Sequence, residues 1–426
     1  MTQNVVKVEL GVILILVAIY FLQVATPLRL HNDTVVLLSV AESAAHGGGY
    51  LYHGKATVFP PGYPALLAVL IRLHIAHVWT IIGLNVAFLM IGLLAFCHML
   101  TSDCFGSKYV LAACIFSLLS IVFVNYSVIP LTEPIFFGVS MCCLATMKSV
   151  LSHLTFGKLM ISVALVMASI CIRRIGIALV PSFLWMVISH PGVRLYGMRL
   201  TARVKAVCIV SVIFIATAGT WIIYSTSTLR DYGKLSIHTI EFSLTAHLTE
   251  LGEIALNMLS GRLPPVLRST VPVLGVVVVS LMLLGMLGRG FRSFGVVEVY
   301  FVSYVVITLV WPYYDIRFWL PVEPLLMAYC GLSVKRLIQR HEILKYSCAV
   351  YMSLFVMVGL LVITVTTSVT FAGSGFADSY PDASYHSTNC LVWHCNESDS
   401  TPASRDGLHL LRYYGQNETR QGMHEK

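Results

Sequence analysis

Uninterrupted apolar runs recur along the chain at 10–26, 79–100, 108–125, 131–149, 159–172, 175–189, 206–224, 271–288, 296–312, 318–334 and 347–371. This repetition limits the fold more than any other feature of the sequence. A hydrocarbon layer of about 30 Å is crossed by about 20 apolar residues in a helix. Inside it, backbone polar groups are satisfied only in helices or closed barrels. The runs are continuous rather than alternating, which predicts an all-α polytopic membrane protein with about eleven transmembrane helices. With 57% hydrophobic and 11% charged residues, the chain is too apolar for an ordinary soluble core.

The first run, Leu10 to Ala25, follows a short polar start and lacks a small-x-small cleavage pattern, so it reads as a retained helix rather than a signal peptide. Placing the N-terminus in the cytoplasm puts Lys148 and Lys158, then Arg194, Arg199, Arg203 and Lys205, then Arg289 and Arg292, then Lys335, Arg336, Arg340 and Lys345 in inner connections. The positive-inside rule supports that orientation. Most carboxylates then face out; Glu9, Asp103, Glu298 and Glu342 lie inside. The net charge of +8 is thus a matter of topology and gives no sign of a nucleic-acid partner.

An odd number of spans places the C-terminus outside. Residues 1–371 form the membrane domain, with a first extracytoplasmic loop at 27–78 and a second large outer loop at 225–270, and 372–426 form a short polar outer tail. A bacterial plasma membrane is the favoured location, with the endoplasmic reticulum as the alternative. Cys390 and Cys395 in the tail could pair in an oxidising compartment. The other nine of the eleven cysteines lie in or beside helices and read as small apolar fillers. Sequons at Asn32, Asn125, Asn396 and Asn417 all fall on the outer side in this arrangement.

The first outer loop is the most informative stretch. Asp33 opens a segment, Thr34 to Ala45, whose apolar residues recur at helical spacing, and Gly47 to Gly49 stop it. Pro60 and Pro61 then precede a second amphipathic helix, Tyr63 to His74. Both are expected to lie along the membrane interface. An acid at the first position has a capping role open to it. Its position beside the first span, with FPPGYP between two amphipathic helices, points instead to a site.

The segments HNDTVVLLSVAESAAHGGGY and FPPGYPALLAVL resemble the first extracytoplasmic loop of GT-C glycosyltransferases, in the branch of dolichyl-phosphate-mannose protein mannosyltransferases and lipid A aminoarabinose transferases. VIPLTEPIFFGV, ICIRRIGIALVPSFLWM and YYDIRFWLPVEPLL resemble further landmarks of that family. The resemblance implies a GT-C-like fold, a polyprenyl-phosphate-linked sugar donor, a protein, lipid or glycan acceptor, and Asp33 as the catalytic carboxylate. The tail is shorter than the soluble domain that commonly follows the last helix in that branch.

Elementary chemistry leads to the same requirement. An acceptor hydroxyl needs a base, and the leaving phosphate needs cations. The outer face offers Asp33 and Glu133 as acids and Lys55, Arg173, Arg174 and Arg317 as donor-phosphate ligands. Glu133, at the start of an apolar helix, could instead complement the helix dipole. Arg173 and Arg174 sit where the positive-inside rule disfavours them; they either anchor at headgroup level or bind phosphate in a bidentate manner. Arg317 could pair locally with Asp315 or meet a lipid phosphate, and Tyr313 and Tyr314 read as interface-belt aromatics. His31, His46 and His53 follow no standard ligand spacing, so no metal is assigned.

Two other classes compete with the transferase. A transporter or flippase of lipid-linked sugars would place its charges at the bilayer midplane within repeated halves, and neither pattern is present. A noncatalytic membrane subunit would keep the fold without the Asp33-and-cation constellation.

Overall fold

The computed structural model describes residues 2–57, 59–101, 106–153, 155–189, 237–288, 294–379, 385–393 and 404–422. The run at 206–224 and the basic residues at 194–205, 289 and 292 therefore lie outside the described residues, as do Asp103, Cys395 and Asn396.

The described chain runs α1 (Thr2–Leu22), α2 (Asn32–Ala45), α3 (Gly62–Arg72), α4 (Val78–Thr101), α5 (Ser107–Leu119), α6 (Ile121–Ser127), α7 (Thr132–Ser152), α8 (Phe156–Ile172) and α9 (Leu179–Ser189). After 190–236 it continues with α10 (Ile237–Leu256), α11 (Val271–Leu287), α12 (Val296–Leu309), α13 (Glu323–Arg340) and α14 (Glu342–Thr370), and the tail carries α15 (His386–Trp393) and α16 (Arg405–Gly422). A two-stranded hairpin, β1 (Leu51–Tyr52) and β2 (Lys55–Ala56), interrupts the helices. His53 and Gly54 turn it with φ of 50° and 72°, the double left-handed geometry of a tight hairpin.

Among the described residues five helices are long and apolar enough to cross a membrane, or six with the bent pair α5–α6 counted as one span. The apolar runs at 159–172, 175–189 and 296–312 form helices of 17, 11 and 14 residues. At 1.5 Å per residue the latter two reach only about 16–21 Å, short of a full crossing on their own. The run at 318–334 is also not one helix: a 3-10 turn at Ile316–Val322 precedes α13. Pro321 and Pro324 explain the break, since neither offers an N–H.

The bend between α5 and α6 is 57°. Ser120 is extended there, and its hydroxyl accepts from the Val122 N–H. Asn257 meets the remaining broken backbone: Oδ1 accepts from the Ile121 N–H at 2.6 Å, and Nδ2 donates to the Leu119 and Phe355 carbonyls at 3.0 and 3.3 Å. A break in an apolar bundle needs this kind of side-chain partner.

The segment read from sequence as an outer loop at 225–270 holds the 20-residue helix α10. It packs along α11 so closely that a methyl group on Gly252 or Gly275 would overlap the backbone of Val271 or Leu248. The apolar-run criterion overlooks α10 because Glu241, Glu250, Glu253, His238 and His247 divide it.

The first loop holds two helices, α2 packed against α3. The tail covers α2. Leu410, Leu411 and Tyr414 of α16 are buried in the main core cluster. The Tyr52 hydroxyl donates to Asp406 at 2.7 Å, His53 lies 2.8 Å from the same carboxylate, His409 lies 3.1 Å from Glu42, and the Tyr385 hydroxyl donates to Asn32 at 2.9 Å. Cys390 is disulfide-bonded.

Candidate active site

α2 begins at His31, which is extended and whose Nδ1 accepts from the Asp33 N–H at 3.2 Å. The cap of α2 is therefore His31, and Asp33 stands inside the first turn with its carboxylate unneeded for capping. The Thr34 hydroxyl, buried, donates to the Pro130 carbonyl at 3.1 Å, tying this turn to the segment that enters α7. Asn85 of α4 holds the same segment through the Ile129 carbonyl at 2.7 Å.

Glu133 lies in the first turn of α7, 1% exposed, with the Thr132 hydroxyl donating to its Oε2 at 3.1 Å. Arg173 caps the C-terminal end of α8 in an extended conformation, which sends its side chain toward α7. Its Nη1 is 2.9 Å from Glu133 Oε1.

Arg317 lies in the 3-10 turn before α13. Asp315 caps that turn by accepting the Arg317 N–H at 3.1 Å, and its Oδ2 is 2.8 Å from Arg317 Nε. The same Nε is 3.3 Å from Glu133 Oε1, while Arg317 Nη2 donates to Asp33 Oδ2. The Phe318 ring stands between the two cations, with the Arg173 and Arg317 guanidinium carbons 4.9 and 5.4 Å from its centroid. The Tyr126 hydroxyl donates to Asp315 at 3.1 Å.

Three carboxylates and two guanidiniums thus converge from α2, α7, the end of α8 and the turn before α13. Arg317 is 5% exposed, and its Nη1 is buried with no hydrogen-bond partner among the described residues. The acids are not equivalent: the Asp33 and Asp315 side chains retain 29% and 21% exposure against 2% for Glu133, so Asp33 is the most open of the three. Glu133 instead holds the two arginines together. Asp315, which sequence spacing marks only as a local partner of Arg317, is a full member of the cluster.

Lys55 is exposed in the hairpin, and no ion pair or hydrogen bond among the described residues links it to the cluster. Arg174 opens the 3-10 turn Arg174–Ala178 next to Arg173, half-buried. The three histidines of the first loop do not converge: His31 caps α2, the His46 ring meets the Glu42 carbonyl and His53 meets Asp406. Among the described residues no group of three or more His, Cys, Asp and Glu side chains is arranged to hold a metal ion. Tyr313 and Tyr314 are exposed.

No family model matches the chain, and no curated protein matches it in sequence. Solved structures do match in fold. The chain is similar to the crystal structure of ArnT, a lipid A aminoarabinose transferase, from Cupriavidus metallidurans in the apo state, with a TM-score of 0.53 and 14% identity over 98% of this chain and 89% of that one. It is also similar to ArnT bound to undecaprenyl phosphate, at 0.50 and 14% over 98% and 85%. The Archaeoglobus fulgidus oligosaccharyltransferase tethered to an acceptor peptide with an NVT sequon matches at 0.50 and 11% over 95% of this chain and 62% of that one. At these identities the likeness is one of fold: the chain shares the fold of the ArnT and oligosaccharyltransferase structures.

Proposed function

We propose that the protein is a glycosyltransferase that moves a sugar from a polyprenyl-phosphate-linked donor to a protein, lipid or glycan acceptor at the extracytoplasmic membrane face. The observation that carries this reading is the contact between Asp33 and Arg317, an accessible carboxylate on a buried cation, within a GT-C fold. That ArnT has been solved with undecaprenyl phosphate supports a donor of that chemistry.

In the reaction, Asp33 takes the proton from the acceptor hydroxyl as its oxygen attacks the anomeric carbon. The bond from that carbon to the phosphate oxygen breaks with inversion, and the polyprenyl phosphate leaves with the electron pair. Arg317 and Arg173 stabilise the charge developing on that phosphate, where a planar guanidinium can make two parallel hydrogen bonds. The unpartnered Arg317 Nη1 is suited to the first of these.

With three carboxylates against two guanidiniums the cluster carries one negative charge in excess, so a phosphate held at Arg317 Nη1 is favoured when a carboxylate gives way. Asp33 is the most exposed of the three and the one to release. Donor binding then frees the base that activates the acceptor.

The test is sugar transfer by the purified full chain in lipid nanodiscs, offered a panel of radiolabelled polyprenyl-phosphate hexoses and pentoses with cell-envelope or microsomal acceptors. Transfer that disappears with Asp33→Asn supports the reading. Failure of the folded wild-type protein to transfer any label from the panel, together with no affinity for undecaprenyl phosphate, overturns it.

A further inference from the structure

Arg317 and Asp315 sit on a short connection between α12 and α13, and a transferase that relies on them needs that connection held still. The helix α10 grips it at both ends. At one end lies the Trp311 carbonyl, which accepts from the Ser243 hydroxyl and stands 3.1 Å from His247 Nε2. At the other end Trp319, fully buried, donates its indole N–H to Glu250 Oε2 at 2.8 Å. His247 and Glu250 are themselves joined, Nδ1 to Oε2 at 2.7 Å, one turn apart on the same face of α10.

Counting protons defines the state of this unit. The Trp311 carbonyl can only accept, so His247 Nε2 carries a proton. A second proton lies between His247 Nδ1 and Glu250 Oε2, whichever atom holds it. The pair is therefore neutral as a whole, either imidazolium with carboxylate or imidazole with carboxylic acid. Neutrality is what allows two titratable side chains to be 0% and 5% exposed without a further counter-ion among the described residues.

We infer that His247 and Glu250 are positioning residues for the donor phosphate: as one neutral, proton-sharing pair they fix the turn between Trp311 and Trp319 and so set where Arg317 points. Neither touches the substrate. The inference rests on the reading of Arg317 as a phosphate ligand. It gives α10, which no apolar-run argument identifies, a defined role in the site.

The experiment compares binding of undecaprenyl phosphate and of undecaprenol to the full chain in nanodiscs for Glu250→Ala, Glu250→Gln, Trp319→Phe and Arg317→Ala. Glu250→Ala and Trp319→Phe should each weaken the phosphate lipid about tenfold or more and leave the alcohol unchanged. Glutamine keeps an acceptor for the Trp319 N–H but cannot carry the shared proton, so Glu250→Gln should recover part of the loss. If Glu250→Ala does not fold, Trp319→Phe alone carries the comparison, since it removes only the indole ring's donor and one ring's width. Equal weakening of both lipids, or none in either variant while Arg317→Ala weakens the phosphate lipid, overturns the positioning role and leaves the proposed function standing. No change in Arg317→Ala removes the phosphate reading and this inference with it.

Discussion

Arg317 and Asp33 are separated by 284 residues in the chain and hydrogen-bond directly, Nη2 to Oδ2. The contact joins the proposed base to the proposed phosphate ligand, so each controls the availability of the other. In this pairing Asp33 Oδ2 is engaged by the guanidinium, and an anion that competes for Arg317 would release it.

That competition makes Arg317 sensitive to more than its charge. Arg317→Ala should weaken donor use by the equivalent of about 1.5–3 kcal/mol for each charged hydrogen bond lost. Arg317→Lys should recover only part, because an ammonium cannot engage Asp33, Asp315 and a phosphate through one planar fork. The dependence of initial rate on donor concentration is the measurement. An unchanged half-saturating concentration in the alanine variant would count against donor binding at this residue.

Glu133 should be a stability residue first. It is almost wholly buried between Arg173 at 2.9 Å and Arg317 at 3.3 Å. Removing one partner of a buried charge group strands the others, at a cost of about 3–5 kcal/mol. Glu133→Ala should therefore lower the thermal midpoint in detergent sharply, and Glu133→Gln/Arg173→Gln should be less unstable than the sum of the two single changes. Additive losses would show that the three side chains do not act as a unit.

How much of this was visible in the sequence differs residue by residue. The helix beginning at Asp33 follows from a local pattern of apolar spacing and glycine stops, and the structure forms it within a few residues of that reading. The meeting of Arg317 with Glu133 and Asp33 depends on contacts across the whole chain that no local window contains. α10 was missed for a different reason: its acidic and histidine side chains, the ones that build the grip on Trp311 and Trp319, are what make it look like a loop. The capping role weighed for Asp33 belongs to His31, because the extended residue before the helix, and not the acid within it, has the cap geometry.

The docked tail gives a pH signature. Partial burial pushes Asp406 up, but hydrogen bonds from Tyr52 and His53 outweigh it and hold the carboxyl below its ordinary range. Tyr52 in turn is raised to about 12 by the hydrogen bond to Asp406, so it remains a donor across neutral pH. A depressed acid contributes to docking above its unfolded value, about 3.9, and that contribution is lost as pH falls through the lower folded value. Spin labels at Lys55 and Arg412 should keep a constant separation through neutral pH and separate only in strong acid, and Asp406→Asn should loosen them throughout. The pair is largely exposed, so overall stability should barely change.

Because α16 packs against α2, the tail and the first loop must share one side of the membrane. In a cysteine-free background, Lys55→Cys and Arg412→Cys should react with an impermeant maleimide from the same side. Lys345→Cys, in the first turn of α14, should react only after permeabilisation. Labelling of all three from one side would remove the proposed orientation.

Asp33→Asn is the decisive substitution because the structure separates its two roles. His31 caps α2, so an amide at position 33 leaves the cap intact, and the Asn32 and Thr34 side chains with their bonds to Tyr385 and Pro130 are untouched. The amide can still accept from Arg317 but carries no negative charge, so the phosphate meets one fewer competing anion there. Donor affinity should hold or rise while turnover falls by about two to four orders of magnitude, the range expected for removing a general base. Thermal unfolding should shift little, since the lost pair is part-exposed at Asp33 and Arg317 keeps Asp315 and Glu133. A fall in donor affinity with turnover preserved would make Asp33 a binding residue, and it would transfer the search for the base to Asp315, the only other carboxylate of the cluster with its side chain open to solvent.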